Sequence, residues 1–219
     1  MKKERNMSKQ SNDLKKTSNP SPSESKKVTA MFFYWGPLLL KAELQPKDLK
    51  ECAKLCSKQS SFVNDTLAGV IKHEHYVSPS KFTKIIEPYL NTFSQCYKEW
   101  YGTPLKKQIS ITAAWANFMS AGEFNPPHVH TSCHFSSVLF VKVPDELKEE
   151  HKNFKGRGGG PGSLAFSYGE SLSHSINHMY FFPEEGDFFI FPSTLTHFVA
   201  PFLSKGERIS MSANFSLQQ

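Results

Sequence analysis

The segment Asn125-Pro-Pro-His128-Val-His130 constrains this chain more than any other, taken together with Phe191-Pro-Ser-Thr-Leu-Thr-His197 further along. Side chains on a strand alternate faces, so histidines at i and i+2 of an extended segment point to one side of a sheet. They can therefore close on one metal ion. A third imidazole arriving from another strand would complete the set, and a pair plus a distant ligand is the usual arrangement of open catalytic iron sites. Everything else then reads as scaffold, cosubstrate clamp or tail.

Composition fits that reading. With 219 residues the chain can build one well-buried domain with appendages. Its 19 Phe fall mostly in short runs such as Met31-Phe-Phe-Tyr-Trp35 and Tyr180-Phe-Phe182, which suit strands. The formal charge of +6 suggests nucleic acid until it is mapped. Residues 1–28 hold eight Lys/Arg against Glu4, Asp13 and Glu24, a balance of 8 − 3 = +5, which leaves +1 for everything else. The basicity belongs to a polar segment read as a disordered tail, which argues against nucleic acid as the partner. Cys52, Cys56, Cys96 and Cys133 follow no signal-peptide pattern, and no apolar run is long enough to span a bilayer. A reducing, cytoplasmic setting without disulfides or membrane is expected.

The domain is expected over 29–219, with helical support at about 45–101. An aromatic strand over 28–44, broken near Gly36-Pro37, precedes a helix that opens at Pro46 with Asp48 in its first turn and a stripe of Leu49, Cys52, Ala53 and Cys56. A second helix, with Ser80 as its cap, carries Phe82, Ile85, Ile86, Tyr89, Leu90, Phe93, Tyr97 and Trp100 at helical spacing. Its aromatics read as packing against a sheet. After Gly102 the period changes to two: Trp115 and Asn117 share a strand face, Phe135 to Val143 is another strand, and 145–155 is a charged loop or short helix. The glycine-rich run at 156–162 lacks the strand-turn-helix setting of a phosphate loop and reads as a flexible connection that can move over the site. Short strands at 163–167 and 178–182 and a buried strand at 188–191 lead to His197. In Arg208-Ile-Ser-Met-Ser-Ala-Asn-Phe215 the polar residues alternate with Ile209, Met211, Ala213 and Phe215, which marks a strand with one wet and one apolar face.

The order of strand with HxH, strand with His, turn, and strand with Arg-x-Ser resembles the iron(II)/2-oxoglutarate-dependent oxygenase superfamily, in particular a branch found in marine bacteria and their phages. The stretches that carry it are NPPHVH, GDFFIFPSTLTHFVAPF and ERISMSANF, within roughly 29–217. The resemblance implies a mainly β double-stranded β-helix, of jelly-roll or cupin type, with flanking N-terminal helices. It implies Fe(II) bound by His128, His130 and His197. It also implies 2-oxoglutarate clamped through its remote carboxylate by Arg208, with Ser210 on the same group and Asn117 and Asn214 lining the pocket. No further catalytic residue is implied beyond the metal site. The activity implied is that of a dioxygenase, a hydroxylase of a small-molecule or peptide substrate that consumes dioxygen.

One departure stands out: most of the superfamily has an aspartate or glutamate where this chain has His130. Three readings follow, namely a three-histidine iron site that still binds 2-oxoglutarate, a shifted pair of His130 and His134, or a protein that holds zinc or nothing productive. The first is preferred. Asp187 or Glu123 could stand in for the carboxylate, but no spacing argument supports either. The alternative in function is a cupin-like metal- or ligand-binding module with a three-histidine zinc or iron site and no turnover of 2-oxoglutarate. His73, His75, His151, His174 and His178 read as surface or packing residues.

Overall fold

The computed structural model describes residues 28–34, 36–63, 65, 67–170 and 176–218. The basic tail expected at 1–28 lies outside them except for Val28, which is buried, and His174 also lies outside.

Among the described residues there are eleven strands and three helices, most of them on the period-2 and period-3.6 stretches of the sequence. The major sheet holds β1 (Thr29–Tyr34), β2 (Leu38–Glu43), β3 (His73–Tyr76), β4 (Ile109–Met119), β6 (Phe135–Lys142), β9 (Asp187–Pro192) and β11 (Arg208–Leu217). The minor sheet holds β5 (Asn125–His128), β7 (Leu164–Ser167), β8 (His178–Phe181) and β10 (Thr196–Val199). The strand orders are β1-β2-β9-β6-β11-β4-β3 and β5-β10-β7-β8, with antiparallel pairing throughout. This is the mainly β, double-sheet architecture expected from the sequence.

Helices α1 (Pro46–Leu55) and α2 (Pro79–Tyr101) cover one face of the major sheet, and the minor sheet lies on the other. Alternation within each strand serves both layers. On β9, Phe188 and Ile190 join Phe82, Tyr89 and Phe93 under the helices, whereas Phe189 and Phe191 join Phe166 and Val199 between the sheets. On β11, Met211, Ala213 and Phe215 face the helices and leave Arg208, Ser210, Ser212 and Asn214 for the opposite side. Buried on both faces, the central strands are nearly continuous in apolar or small residues.

Some local expectations shift. Ser78, not Ser80, precedes α2, and Pro79 occupies the first helical position; the fixed φ of proline suits that place, and Ser80 falls inside the first turn. Gly102, with φ of 68°, closes α2 in the left-handed conformation that an L side chain resists. Ala53 is exposed, whereas Leu49, Cys52 and Cys56 pack on the core as expected, Cys56 from the cap position just after α1. The charged stretch after β6 forms a helix, α3 (Asp145–Asn153). The sequence His73-Glu-His-Tyr76, too polar to read as a strand, forms β3 because β4 supplies its pairing partner. All four cysteines are free thiols.

Phe188 is fully buried, with its ring edge-on to Tyr89 and Phe82 at centroid distances of 6.1 and 6.4 Å. Phe188→Ala is expected to destabilise the fold by about 3–5 kcal/mol. In urea the unfolding midpoint should fall with little change in slope.

Candidate metal centre

The metal candidates stand where the minor sheet faces the major one. β5 is an edge strand, which tolerates the missing N–H groups of Pro126 and Pro127. His128 ends β5 and pairs in register with His197 of β10, so the backbone ladder itself sets these two residues side by side. His130 follows two residues on, held by its N–H donating to the Ser193 carbonyl at 2.9 Å. The three imidazoles converge, with one ring nitrogen of each within 4.8 Å of the others. Centroid distances are 4.2 Å for His128 and His197, 5.2 Å for His128 and His130, and 5.1 Å for His130 and His197.

The ring orientations have local causes. Nδ1 of His128 lies 2.7 Å from the Pro126 carbonyl and Nδ1 of His197 lies 2.9 Å from that of Leu195. A carbonyl only accepts, so each Nδ1 carries the proton and each Nε2 presents a lone pair. Nε2 of His197 is 3.3 Å from Nε2 of His130. Trp115 stacks on His130 at 5.9 Å and 25°, and Phe191 packs against His197 at 4.7 Å.

Burial keeps all three rings neutral. It lowers His197 to about 3 and His130 to about 4, with neighbouring imidazoles adding to the effect, and it lowers His128 as well. Three neutral nitrogen donors facing one point suit a divalent cation of iron or zinc type.

Across the same cavity, of about 510 Å³, lies Arg208. Its guanidinium is 1% exposed, donates from Nη1 to the Gly162 carbonyl at 3.0 Å and from Nη2 to Met119 Sδ at 2.9 Å, and lies over the Phe140 ring. Its Nε has no acceptor, and among the described residues no carboxylate pairs with it. Burial lowers its pKa only to about 10, so it remains a cation. An enclosed charge without a counter-charge is costly and fits an anionic ligand that is not part of the chain. Ser210 shares this strand face. Asn117 donates from Nδ2 to Ser210 Oγ at 3.4 Å and to Ser212 Oγ at 3.1 Å, and Asn214 accepts from Ser136 Oγ at 3.0 Å.

The residues expected to hold the metal and the cosubstrate, His128, His130, His197, Arg208, Ser210, Asn117 and Asn214, thus line one cavity, and the other ligand options do not. His134 is exposed and faces the Leu217 N–H. Asp187 pairs with Lys41 at 2.8 Å, and Glu123 accepts from the Lys72 and Ser120 N–H groups. His75 is fully buried as a packing residue, bonded through Nδ1 to the Ser60 carbonyl. The glycine-rich run touches the site through Gly162, whose carbonyl meets Arg208. Sequence reasoning missed Glu74 and Tyr76, which also line the cavity. Their i and i+2 spacing was the available signal, hidden by the polar makeup of β3.

The double-sheet fold is that of the jelly-roll 2-oxoglutarate oxygenases. Similar solved structures include a prolyl-4-hydroxylase of Pseudomonas putida, 17% identical with a TM-score of 0.53 over 83% of this chain and 93% of that one. HygX of Streptomyces hygroscopicus, solved with nickel, 2-oxoglutarate and hygromycin B, is 9% identical with a TM-score of 0.50 over 84% of each chain. Residues 113–214 match the family described as "Putative 2OG-Fe(II) oxygenase", so the resemblance to iron(II)/2-oxoglutarate oxygenases holds across the site-bearing half of the chain. Iron(II) and 2-oxoglutarate are the pair that family name specifies. No curated protein matches the sequence. No helix among the described residues is long and apolar enough to cross a membrane.

The depressed histidines make a sign-definite prediction for the metal-free protein. Unfolded, each binds a proton below about 6.5; folded, His197 and His130 do so only near 3 and 4. The unfolded state binds more protons in that window, so stability is full above about pH 6.5 and falls as pH drops towards 4. Thermal midpoints measured from pH 7 to 4 should decline, and less steeply in His197→Gln.

Proposed function

We propose that the chain is an Fe(II)/2-oxoglutarate-dependent dioxygenase that hydroxylates a small-molecule or peptide substrate with release of succinate and CO2. The carrying observation is the pairing, in one cavity, of three converging neutral imidazoles with a buried guanidinium that lacks an anion. His128, His130 and His197 would hold the iron. Arg208 and Ser210 would take the remote carboxylate of 2-oxoglutarate, and a planar guanidinium suits it because it offers parallel donors. When bound, the iron and 2-oxoglutarate supply the oxidising chemistry with dioxygen.

The remaining roles belong to the chain. The Pro126 and Leu195 carbonyls hold two Nδ1 protons and so fix which nitrogen faces the cavity. Asn117 orients the Ser210 and Ser212 hydroxyls by donating to both. Phe191 and Phe166, beside His197, keep water from its buried side. No side chain is needed as a proton carrier.

Protein loaded anaerobically with Fe(II) should release succinate from 2-oxoglutarate once air is admitted, and His197→Ala should abolish the release. Loss of a buried charge-assisted contact in Arg208→Ala should weaken 2-oxoglutarate binding by about thirtyfold or more. Arg208→Lys, which keeps the charge, checks that the effect is not unfolding. A metal-binding module without this chemistry would bind its ligand equally well in all three Arg208 forms. Wild type that binds neither iron nor 2-oxoglutarate would exclude the proposal.

A further inference from the structure

Glu74 is the one carboxylate among the described residues that line the cavity. It lies on β3, at the edge of the major sheet, and is 1% exposed, as enclosed as Arg208. Tyr76, two residues on, shares its face. The register sets Glu74 beside Asn117 and Tyr76 beside Trp115, and the next strand continues these rows with Ser210 and Ser212. Neighbouring Cβ atoms in such rows are about 5 Å apart across strands. Glu74 and Tyr76 therefore lie two strand spacings, about 10 Å, from the Ser210–Ser212 strand, with Asn117 and Trp115 between. Trp115 in turn stacks on His130, so this face adjoins the metal centre.

The two ends of the cavity differ in polarity. Arg208 and Ser210 make one end a donor site. At the other, a Cβ added at Gly69 would lie 2.8 Å from Glu74 Oε1 and 2.6 Å from Asn125 Oδ1, so both oxygens border the small space beside Gly69. That corner holds two acceptor oxygens, and Tyr76 and Trp115 line the same cavity from neighbouring register positions. A carboxylate sharing a cavity wall with aromatic residues is the chemistry that receives an organic cation, through a charge-assisted hydrogen bond and cation–π attraction.

We propose that Glu74, with Tyr76 and Trp115, receives an ammonium or guanidinium group of the substrate and holds the adjoining carbon chain towards the three imidazoles. This names the substrate class and rests on the oxygenase reading. Burial, and after it the neighbouring Glu123, raise Glu74 to about 7, so a bound cation would favour its ionised form. The other role open to Glu74 is to balance the positive charge of a centre whose ligands are all neutral.

The test uses n-propylguanidinium and its neutral counterpart n-propylurea. Binding of each to the metal-loaded protein, with and without 2-oxoglutarate and in the absence of dioxygen, is measured by calorimetry or ligand-observed NMR. Wild type should prefer the guanidinium by about tenfold or more, the range of a hydrogen bond to a charged group. Glu74→Gln should bring the ratio near unity. Tyr76→Ala, at a residue 45% exposed and so tolerant of change, should weaken guanidinium binding by about two- to fivefold. Equal binding of the two probes to wild type overturns the proposal, as does a ratio that survives Glu74→Gln. Loss of iron or 2-oxoglutarate affinity in Glu74→Gln with the ratio intact assigns Glu74 to charge balance and likewise overturns it. Wild type that prefers guanidinium but fails to bind 2-oxoglutarate would remove the oxygenase reading and leave the cation site standing.

Discussion

The registered pairing of β11 between β4 and β6 is the constraint on which the rest depends. Alternation along β11 puts Arg208, Ser210, Ser212 and Asn214 on the cavity side and Met211, Ala213 and Phe215 under the helices. A slip of one residue would exchange the two sets, burying a guanidinium against Phe93 and leaving Phe215 where a polar wall is required. Such an error is penalised twice, once by desolvation of an unpaired cation and once by a loosened core. Packing on the helical face therefore protects the site on the other, although the two share no side chain.

The site's electrostatics follow from its enclosure. Among the described residues, the cluster of three converging imidazoles includes no carboxylate, so it carries no negative charge. Any positive charge brought in must be balanced by what binds with it, or by groups further out. The cavity already orders its charges, with a cation at the Arg208 end and an ionisable acid at the Glu74 end. A ligand carrying opposite charges at its two ends would settle in one direction only.

Much of this was legible beforehand, and for identifiable reasons. Strict alternation at 208–215 is a short-range pattern whose geometry is fixed by the pleat alone, whereas of the i, i+2 histidines only His128 lies in β5, and His130 is placed by its bond to the Ser193 carbonyl. The α2 stripe was equally plain, because eight apolar residues at helical spacing admit no other period. The start of α2 was misplaced by two residues because both Ser78 and Ser80 flank a proline, and only the backbone reveals which is helical. β3 escaped because His73-Glu-His-Tyr76 has no strand signature of its own; β4 imposes its extended form. Glu74 was missed with it. Long-range partners, unlike local periods, are not written in a single stretch.

The Pro126 and Leu195 carbonyls that hold the imidazoles of His128 and His197 are main-chain groups, each two residues before the ring it steadies. No codon change at those neighbours deletes a carbonyl oxygen. The aim of two of the three rings is thus inherited with the strand path itself, and drift in the surrounding side chains can reshape the cavity while that aim persists.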